Sequence, residues 1–196
     1  MDYLIKELSI KFDFNELLEY VETVEKDYQH LKWTPSDENL KSIDNYEKHN
    51  YQGLYGWGIQ SNLDDLTQPC PPYDIHKHSS DTYRDTELMF GFASKLKQLF
   101  PFMRQLGIAG HPPGVKIAEH IDNDQYVKIH IPVTVNPQSY FIFYNHKFVM
   151  EPGKMYLVNT TEAHGTNNLG DTDRVHIILK LPTDLAGTVE AMRAEI

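Results

Sequence analysis

The fold expected for this chain is decided by the stretch Tyr126-Val127-Lys128-Ile129-His130-Ile131-Pro132-Val133. Its β-branched residues alternate strictly with Lys, His and Pro, which is the period of two that an extended strand imposes on side chains. One face of this strand is therefore apolar and the other is polar. Two sheets of such strands that face each other make a jelly roll.

The rest of the second half has the same character. Turn signals separate short apolar segments, which predict strands at 104–110, 115–121, 126–135, 139–144, 147–150, 154–159 and 174–181. We therefore predict a mainly β protein with flanking helices, whose core over residues 103–181 is a jelly roll.

The flanking regions predict helices and loops around that core. Apolar residues at helical spacing predict helices over 14–32 and 85–99, and residues 61–84 are typical of a long irregular loop. Residues 182–196 predict a C-terminal helix capped by Thr183 or Asp184. We expect one domain over residues 1–196, in which 1–102 supply support and substrate-side elements.

The composition narrows the class of protein. Asp and Glu number 28 against 18 Lys and Arg, a net charge of -10 that disfavours broad binding to nucleic acid. Charges interrupt the apolar residues near the start, so neither a signal peptide nor a membrane span is expected. The single cysteine, Cys70, cannot form an internal disulfide. These features predict a soluble, cytoplasmic protein.

Three residues in the β region could bind one metal ion. His120 and Asp122 are two apart, so on a strand their side chains project from one face. The pair alone is weak, because about one His-x-Asp is expected by chance in a chain of this composition. His164 follows another predicted strand, in a short turn, where the roll could bring it to the first pair. Two histidines and one carboxylate can hold iron and leave coordination positions open.

Arg174 begins the last predicted strand, ten residues after His164. A guanidinium that points inward beside the metal would pair bidentately with a carboxylate of a dicarboxylic cosubstrate.

Together these residues resemble the aspartyl/asparaginyl β-hydroxylase-like family of Fe(II)- and 2-oxoglutarate-dependent oxygenases, and they are similar to the free-proline hydroxylases. The resemblance covers about residues 104–181 and rests on the motifs Pro112-Pro113-Gly114, His120-Ile-Asp122, Lys128-Ile-His130-Ile-Pro132, Glu151-Pro-Gly153, Tyr156-Leu-Val-Asn159, His164, Asn168 and Arg174-Val-His-Ile. It implies a cupin-like double-stranded β-helix for the core. It also implies Fe(II) bound by His120, Asp122 and His164, 2-oxoglutarate held at its far carboxylate by Arg174, and O2 as oxidant.

The resemblance also implies that Lys128 and His130 help to hold the other carboxylate of 2-oxoglutarate. Family members often have arginine at the first of these positions, and lysine keeps the charge but loses the planar fork. The implied activity is hydroxylation of an amino acid or of a peptidyl residue of the Pro, Asp or Asn type, with succinate and CO2 as products.

Residues around the roll could choose the substrate. The region 53–83, with Tyr55 and Trp57, could wall the pocket mouth, although Trp57 also fits a core position. His76 and His78 form a His-x-His pair that could bind a second metal, but further ligands are missing nearby.

Two alternatives remain from the sequence. One is a cupin-like metalloenzyme that does not use 2-oxoglutarate, in which Arg174 has another task. The other is a catalytically silent metal-binding or interaction module on the same roll.

Overall fold

The structure, a computed structural model, describes residues 3–36, 48–72, 83–122 and 125–196. Within these ranges the α-helices are α1 (Phe14–Asp27), α2 (Gly91–Leu99) and α3 (Ala186–Ala191). The strands are β1 (Ile5–Glu7), β2 (Ser9–Lys11), β3 (Tyr55–Gly58), β4 (Gln60–Ser61), β5 (Arg84–Asp85), β6 (Gln105–His111), β7 (Lys116–His120), β8 (Tyr126–Thr134), β9 (Ser139–Phe143), β10 (His146–Phe148), β11 (Tyr156–Val158), β12 (His164–Asn168), β13 (Arg174–Pro182) and β14 (Arg193–Glu195).

Two antiparallel sheets form the body of the protein. The larger has the order β1-β11-β8-β13-β6-β3 and the smaller the order β10-β9-β12-β7. From β6 to β13 consecutive strands alternate between the two sheets, as in a double-stranded β-helix, except that β9 and β10 both belong to the smaller sheet. Helices flank the larger sheet. The predicted fold class is confirmed.

The apolar face of the larger sheet packs against helices and not against the second sheet. Val127, Ile129 and Ile131 of β8 belong to one buried cluster with Leu17 of α1 and Phe92 of α2. The apolar face of the alternating stretch in β8 therefore forms the contact between the larger sheet and the helices.

The polar face of the same sheet lines the interior of the roll. The ring of His130 on β8 lies 4.9 Å from the ring of Phe141 on β9, and Cζ of Arg174 on β13 also lies 4.9 Å from that ring. Since β9 belongs to the smaller sheet, these contacts cross the interior. The space between the sheets is thus rich in polar side chains.

Glycines at the edge of the larger sheet admit a second layer of chain. A Cβ on Gly58 would lie 2.2 Å from Sγ of Cys70, and a Cβ on Gly107 would lie 2.3 Å from the carbonyl oxygen of Pro72. Glycine is required at both positions because any larger residue would collide. The segment 70–72 is packed against the inner face of β3 and β6, which explains the glycines in these two strands.

All seven strands predicted in the second half are present, with ends shifted by up to two residues. The predicted helix over 14–32 is shorter: it begins after Asp13, which accepts from the Asn15 N–H at 2.9 Å, and ends at Asp27. A separate 3-10 turn, Gln29–Leu31, follows.

The helix predicted over 85–99 begins only at Gly91. Thr86 donates its hydroxyl to the Ile59 carbonyl at 2.9 Å and accepts from the Leu88 N–H at 3.3 Å, so residues 86–90 form a turn fixed to the sheet.

The prediction of one C-terminal helix over 182–196 is wrong in its extent. A 3-10 turn at Thr183–Leu185 leads into the six-residue helix α3, and then β14 pairs in parallel with β2. The edge of β2 has backbone groups that need partners, and the last residues supply them.

Among the described residues, none of the helices combines the length and the apolar character required to traverse a bilayer. The predicted His76 and His78 pair lies outside the described residues.

Candidate active site

Strand pairing in the smaller sheet brings two histidines together. β12 lies antiparallel to β7, with His164 opposite His120, and their ring centroids are 4.5 Å apart. The sequence analysis placed His164 in a turn, whereas it is the first residue of β12. The sequence His-Gly-Thr-Asn-Asn has no apolar alternation, so it did not indicate a strand.

Asp122 completes the cluster from the loop after β7. Its backbone N–H donates to the carbonyl oxygen of Thr160 at 3.0 Å, which ties the loop to the residues before His164. Its carboxylate oxygens lie 3.4 Å from Nε2 of His120 and 3.9 Å from Nε2 of His164. One ligand atom from each residue falls within 4.8 Å of the others. Atoms that share an ion at about 2.0–2.2 Å lie about 3 Å apart, so the spacing fits a metal after small adjustments.

The tautomers of both histidines suit metal binding. Nδ1 of His120 donates to the carbonyl of Ala118 at 2.9 Å, and Nδ1 of His164 donates to the carbonyl of Glu162 at 2.9 Å. A carbonyl oxygen only accepts, so each Nδ1 carries the proton and each Nε2 keeps a lone pair. This hydrogen bonding behind the ring is the usual arrangement of metal-binding histidines.

The protonation states also suit a metal. Burial lowers the pKa of His164 to about 4, so its imidazole is neutral near pH 7. Burial alone would raise the pKa of Asp122, but Lys128, His120 and His164 together hold it well below its usual value. Metal ligands must be deprotonated, and the shifted pKa values of His164 and Asp122 meet this condition near pH 7.

Lys128 lies against the proposed carboxylate ligand. Its Nζ is 2.7 Å from Oδ2 of Asp122, and both side chains are largely shielded from solvent. Its predicted role toward the cosubstrate stays a prediction, and the ion pair with Asp122 is the contact that the structure adds.

Arg174 is buried on the inner face of β13 and is only 2% exposed. Its Nη1 donates to Nδ1 of His111 and its Nη2 donates to Nδ1 of His176, both at 3.3 Å. The ring of Phe141 lies under the guanidinium. Phe143, two residues along β9, is stacked on the ring of His164 at 5.7 Å. Two residues of strand span about 7 Å, so Arg174 and the metal cluster flank neighbouring positions of one strand.

Polar atoms without partners lie in this interior. His130, predicted to bind the cosubstrate, has its ring 5.6 Å from that of His176, and its Nδ1 is buried. Among the described residues, several buried side-chain atoms on inward-facing positions have no hydrogen-bond partner: Nε2 of His111, Nδ1 of His130, Oγ1 of Thr166 and Nε2 of His176. Such atoms cost about 1–3 kcal/mol each when left unsatisfied, so the interior suits a polar ligand.

A family model described as Aspartyl/Asparaginyl beta-hydroxylase matches residues 18–183. The chain belongs to this family. The match includes all six predicted site residues and much of the first hundred residues, where the resemblance was weak.

This β-hydroxylase family member is also similar to several solved structures. An oxidoreductase of the 2OG-Fe(II) oxygenase family from Burkholderia pseudomallei is 11% identical, with a TM-score of 0.50 over 97% of this chain and 100% of that chain. A predicted oxalate decarboxylase from Thermotoga maritima is 16% identical, with a TM-score of 0.36 over 44% of this chain and 72% of that chain. A cupin 2 conserved barrel domain protein from Salinispora arenicola is 13% identical, with a TM-score of 0.34 over 43% and 68%. A search of curated protein sequences gives no significant match.

Sequence reasoning missed two residues of the site. His176 is two residues after Arg174, so the period of a strand could have placed it on the same face. His111 precedes Pro112-Pro113-Gly114 and becomes a neighbour of Arg174 only through the pairing of β6 with β13. No local pattern indicates that pairing.

Two predicted wall residues do not face the interior. Trp57 is 1% exposed and donates through Nε1 to the Tyr28 carbonyl, and Tyr55 belongs to the same cluster on the helix side of the sheet. Trp57 is a core residue. Tyr83 lies elsewhere, with its ring 5.7 Å from Nζ of Lys180 on β13.

The buried histidines of this family member predict a loss of stability in mild acid. Burial and then the charge of Arg174 hold the pKa values of His111, His130 and His176 well below 6.5. The unfolded chain binds protons near pH 6.5 while the folded chain does not, so the free energy of unfolding falls as the pH drops below that value. The expected slope is up to about 1.4 kcal/mol per pH unit for each histidine.

Urea unfolding between about pH 7.5 and 5.5 measures this slope. His176→Asn removes one of the titrating groups and should give a shallower slope than wild type. A free energy of unfolding that stays constant over this range would contradict the prediction.

Proposed function

We propose that this chain is an Fe(II)- and 2-oxoglutarate-dependent dioxygenase that hydroxylates an amino acid or a peptidyl residue of the Pro, Asp or Asn type. The observation that carries the proposal is the cluster of His120, Asp122 and His164, in which both histidines keep Nε2 available. Two imidazoles and one carboxylate on one side of an ion are the donor set of oxygen-activating non-haem iron. A site that held metal only for structure would need no open positions.

The cosubstrate fits the same interior. Arg174 is a buried guanidinium, and its planar fork of N–H donors matches a carboxylate bidentately. A five-carbon dicarboxylate could reach from Arg174 to the metal, since both flank neighbouring positions of β9. Lys128 and His130 lie on the inner face of β8. Lys128 contacts Asp122 of the metal cluster, and His130 contacts Phe141 beside Arg174. Nδ1 of His130 and Oγ1 of Thr166, which are buried without a partner, are polar groups that such an anion could satisfy.

Bound Fe(II) would supply O2 activation coupled to oxidative decarboxylation, so that substrate C–H, O2 and 2-oxoglutarate give the hydroxylated product, succinate and CO2. The protein's own residues fix the geometry of this reaction. His120, Asp122 and His164 would hold the ion on one side. Arg174 would orient the cosubstrate, and the rings of Phe141 and Phe143 exclude water from the wall behind it.

The cellular compartment is inferred from the cysteine and from the proposed iron. Cys70 is a buried free thiol, and a reducing cytoplasm suits an enzyme that depends on ferrous iron. We propose a cytoplasmic enzyme with a small-molecule or peptide substrate.

The first test is anaerobic titration of the metal-free protein with Fe(II) and then 2-oxoglutarate, followed by visible spectroscopy. Wild type should develop the charge-transfer absorption of a chelated complex, and His146→Asn on the exposed strand β10 should do the same. Absence of the band in wild type contradicts the proposal. A screen of amino acids and peptides for substrate-stimulated succinate release then identifies the substrate.

The same measurements separate the alternatives. Metal binding and turnover without succinate would favour a cupin-like enzyme that does not use 2-oxoglutarate. Metal binding with neither the absorption band nor turnover would favour a silent module.

A further inference from the structure

The guanidinium of Arg174 is fixed at three points by the inner face of the roll. The Phe141 ring lies 4.9 Å from Cζ and fixes the plane of the group. His111 and His176 each accept from a different terminal nitrogen at 3.3 Å, which fixes rotation within that plane. Two of these contacts follow directly from the sheet, because His111 is opposite Arg174 in β6 and His176 is two residues further along β13.

The two histidines must be neutral and must share one tautomer. A guanidinium donates hydrogen bonds and accepts none, so Nδ1 of each ring is the acceptor and carries no proton. Each ring then has its proton on Nε2. Burial and the nearby charge of Arg174 both hold the pKa of His111 and of His176 well below the usual value, in agreement with neutral rings.

We propose that His111 and His176 are positioning residues that orient the Arg174 guanidinium for a dicarboxylate. The inference rests on the proposed function for the identity of that ligand. Neither histidine needs to touch the iron or the cosubstrate. Each acts by accepting one hydrogen bond, so that the guanidinium of Arg174 already has a fixed orientation before the ligand arrives. Fixing a group in its bound orientation lowers the cost of binding.

The matched variants distinguish a hydrogen-bond acceptor at Nδ1 from mere filling of space. The amide oxygen of Asn can take the place of Nδ1, whereas Gln extends toward the place of Nε2 and Leu has no acceptor. We expect His176→Leu and His176→Gln to raise the dissociation constant of 2-oxoglutarate for the Zn(II)-loaded protein about tenfold, as loss of one charge-assisted hydrogen bond predicts. His176→Asn should stay within about threefold of wild type. The same order is expected for the three substitutions at His111.

Two further readouts separate positioning from general damage. The dissociation constant of Zn(II) should be unchanged in every variant, and in turnover the KM for 2-oxoglutarate should rise while kcat stays near that of wild type. Equal effects of Asn and Gln, or tight binding of 2-oxoglutarate by both Leu variants, would overturn the inference.

Ring-nitrogen NMR on the metal-free wild type gives a test that needs no cosubstrate. Both His111 and His176 should show a protonated Nε2 and an unprotonated Nδ1, and the opposite tautomer in either ring would overturn the inference. Failure of wild type to bind 2-oxoglutarate would instead count against the proposed function, while the NMR result would still decide the arrangement around Arg174.

Discussion

Asp122→Ala is expected to abolish substrate-dependent succinate release and to weaken Fe(II) binding by at least about 100-fold, since even the loss of a residue behind a metal ligand costs 10–100-fold. The substitution removes the only carboxylate of the cluster and leaves two imidazoles. It also leaves Lys128 beside the site without its 2.7 Å partner, and the remaining positive charge opposes a divalent cation.

Metal titration monitored by competition with a chelator measures the affinity, and succinate release measures turnover. Glu119→Ala is the matched control, because Glu119 is an exposed acidic residue on the same strand as His120. Asp122→Ala with the metal affinity and turnover of Glu119→Ala would rule out the proposed centre.

Arg174→Leu should have the second large effect, on the cosubstrate. Removing one partner of a buried, hydrogen-bonded charge pair costs about 2–5 kcal/mol, which corresponds to an increase of about 30-fold or more in the dissociation constant of 2-oxoglutarate. Arg174→Lys should recover only part of the affinity, because an ammonium group keeps the charge but lacks the planar fork.

Calorimetric titration of 2-oxoglutarate into the Zn(II)-loaded variants measures this effect, and Fe(II) affinity should change little because Arg174 is not a metal ligand. Arg193→Leu, at the exposed strand β14, is the control for loss of an arginine. If Arg174→Leu binds 2-oxoglutarate like wild type, the arginine has another task, as in a cupin-like enzyme that does not use this cosubstrate.

The strands of the second half were predictable because their alternation is local. Each apolar segment from residue 104 to 181 carries its own period of two, and turn residues separate the segments. β12 was missed because its polar residues are buried by the site and not by an apolar core. The true start of α2 at Gly91 and the pairing of β14 with β2 depend on contacts with distant residues, which no local pattern reveals.

The residues of the candidate site also divide into those that a local pattern indicates and those that depend on contacts with distant residues. His120 and Asp122 share a strand spacing, and Arg174 begins a recognisable strand, so sequence was sufficient to select them. The ion pair of Lys128 with Asp122 and the contact of His111 with Arg174 arise from folding of the roll. Residues whose contacts are with another residue of the candidate site leave little local pattern in the sequence.

The two faces of the larger sheet have different roles, and this affects how the function of such a protein can diverge in evolution. Cohesion of the scaffold comes from the contact of β8 and β13 with the helices, outside the roll. His111, Arg174 and His176 lie outside the apolar clusters, so polar residues of the lining can be exchanged to suit a different substrate while the frame persists. Descendants of one ancestral chain could thus acquire new chemistry without rebuilding the architecture that supports it.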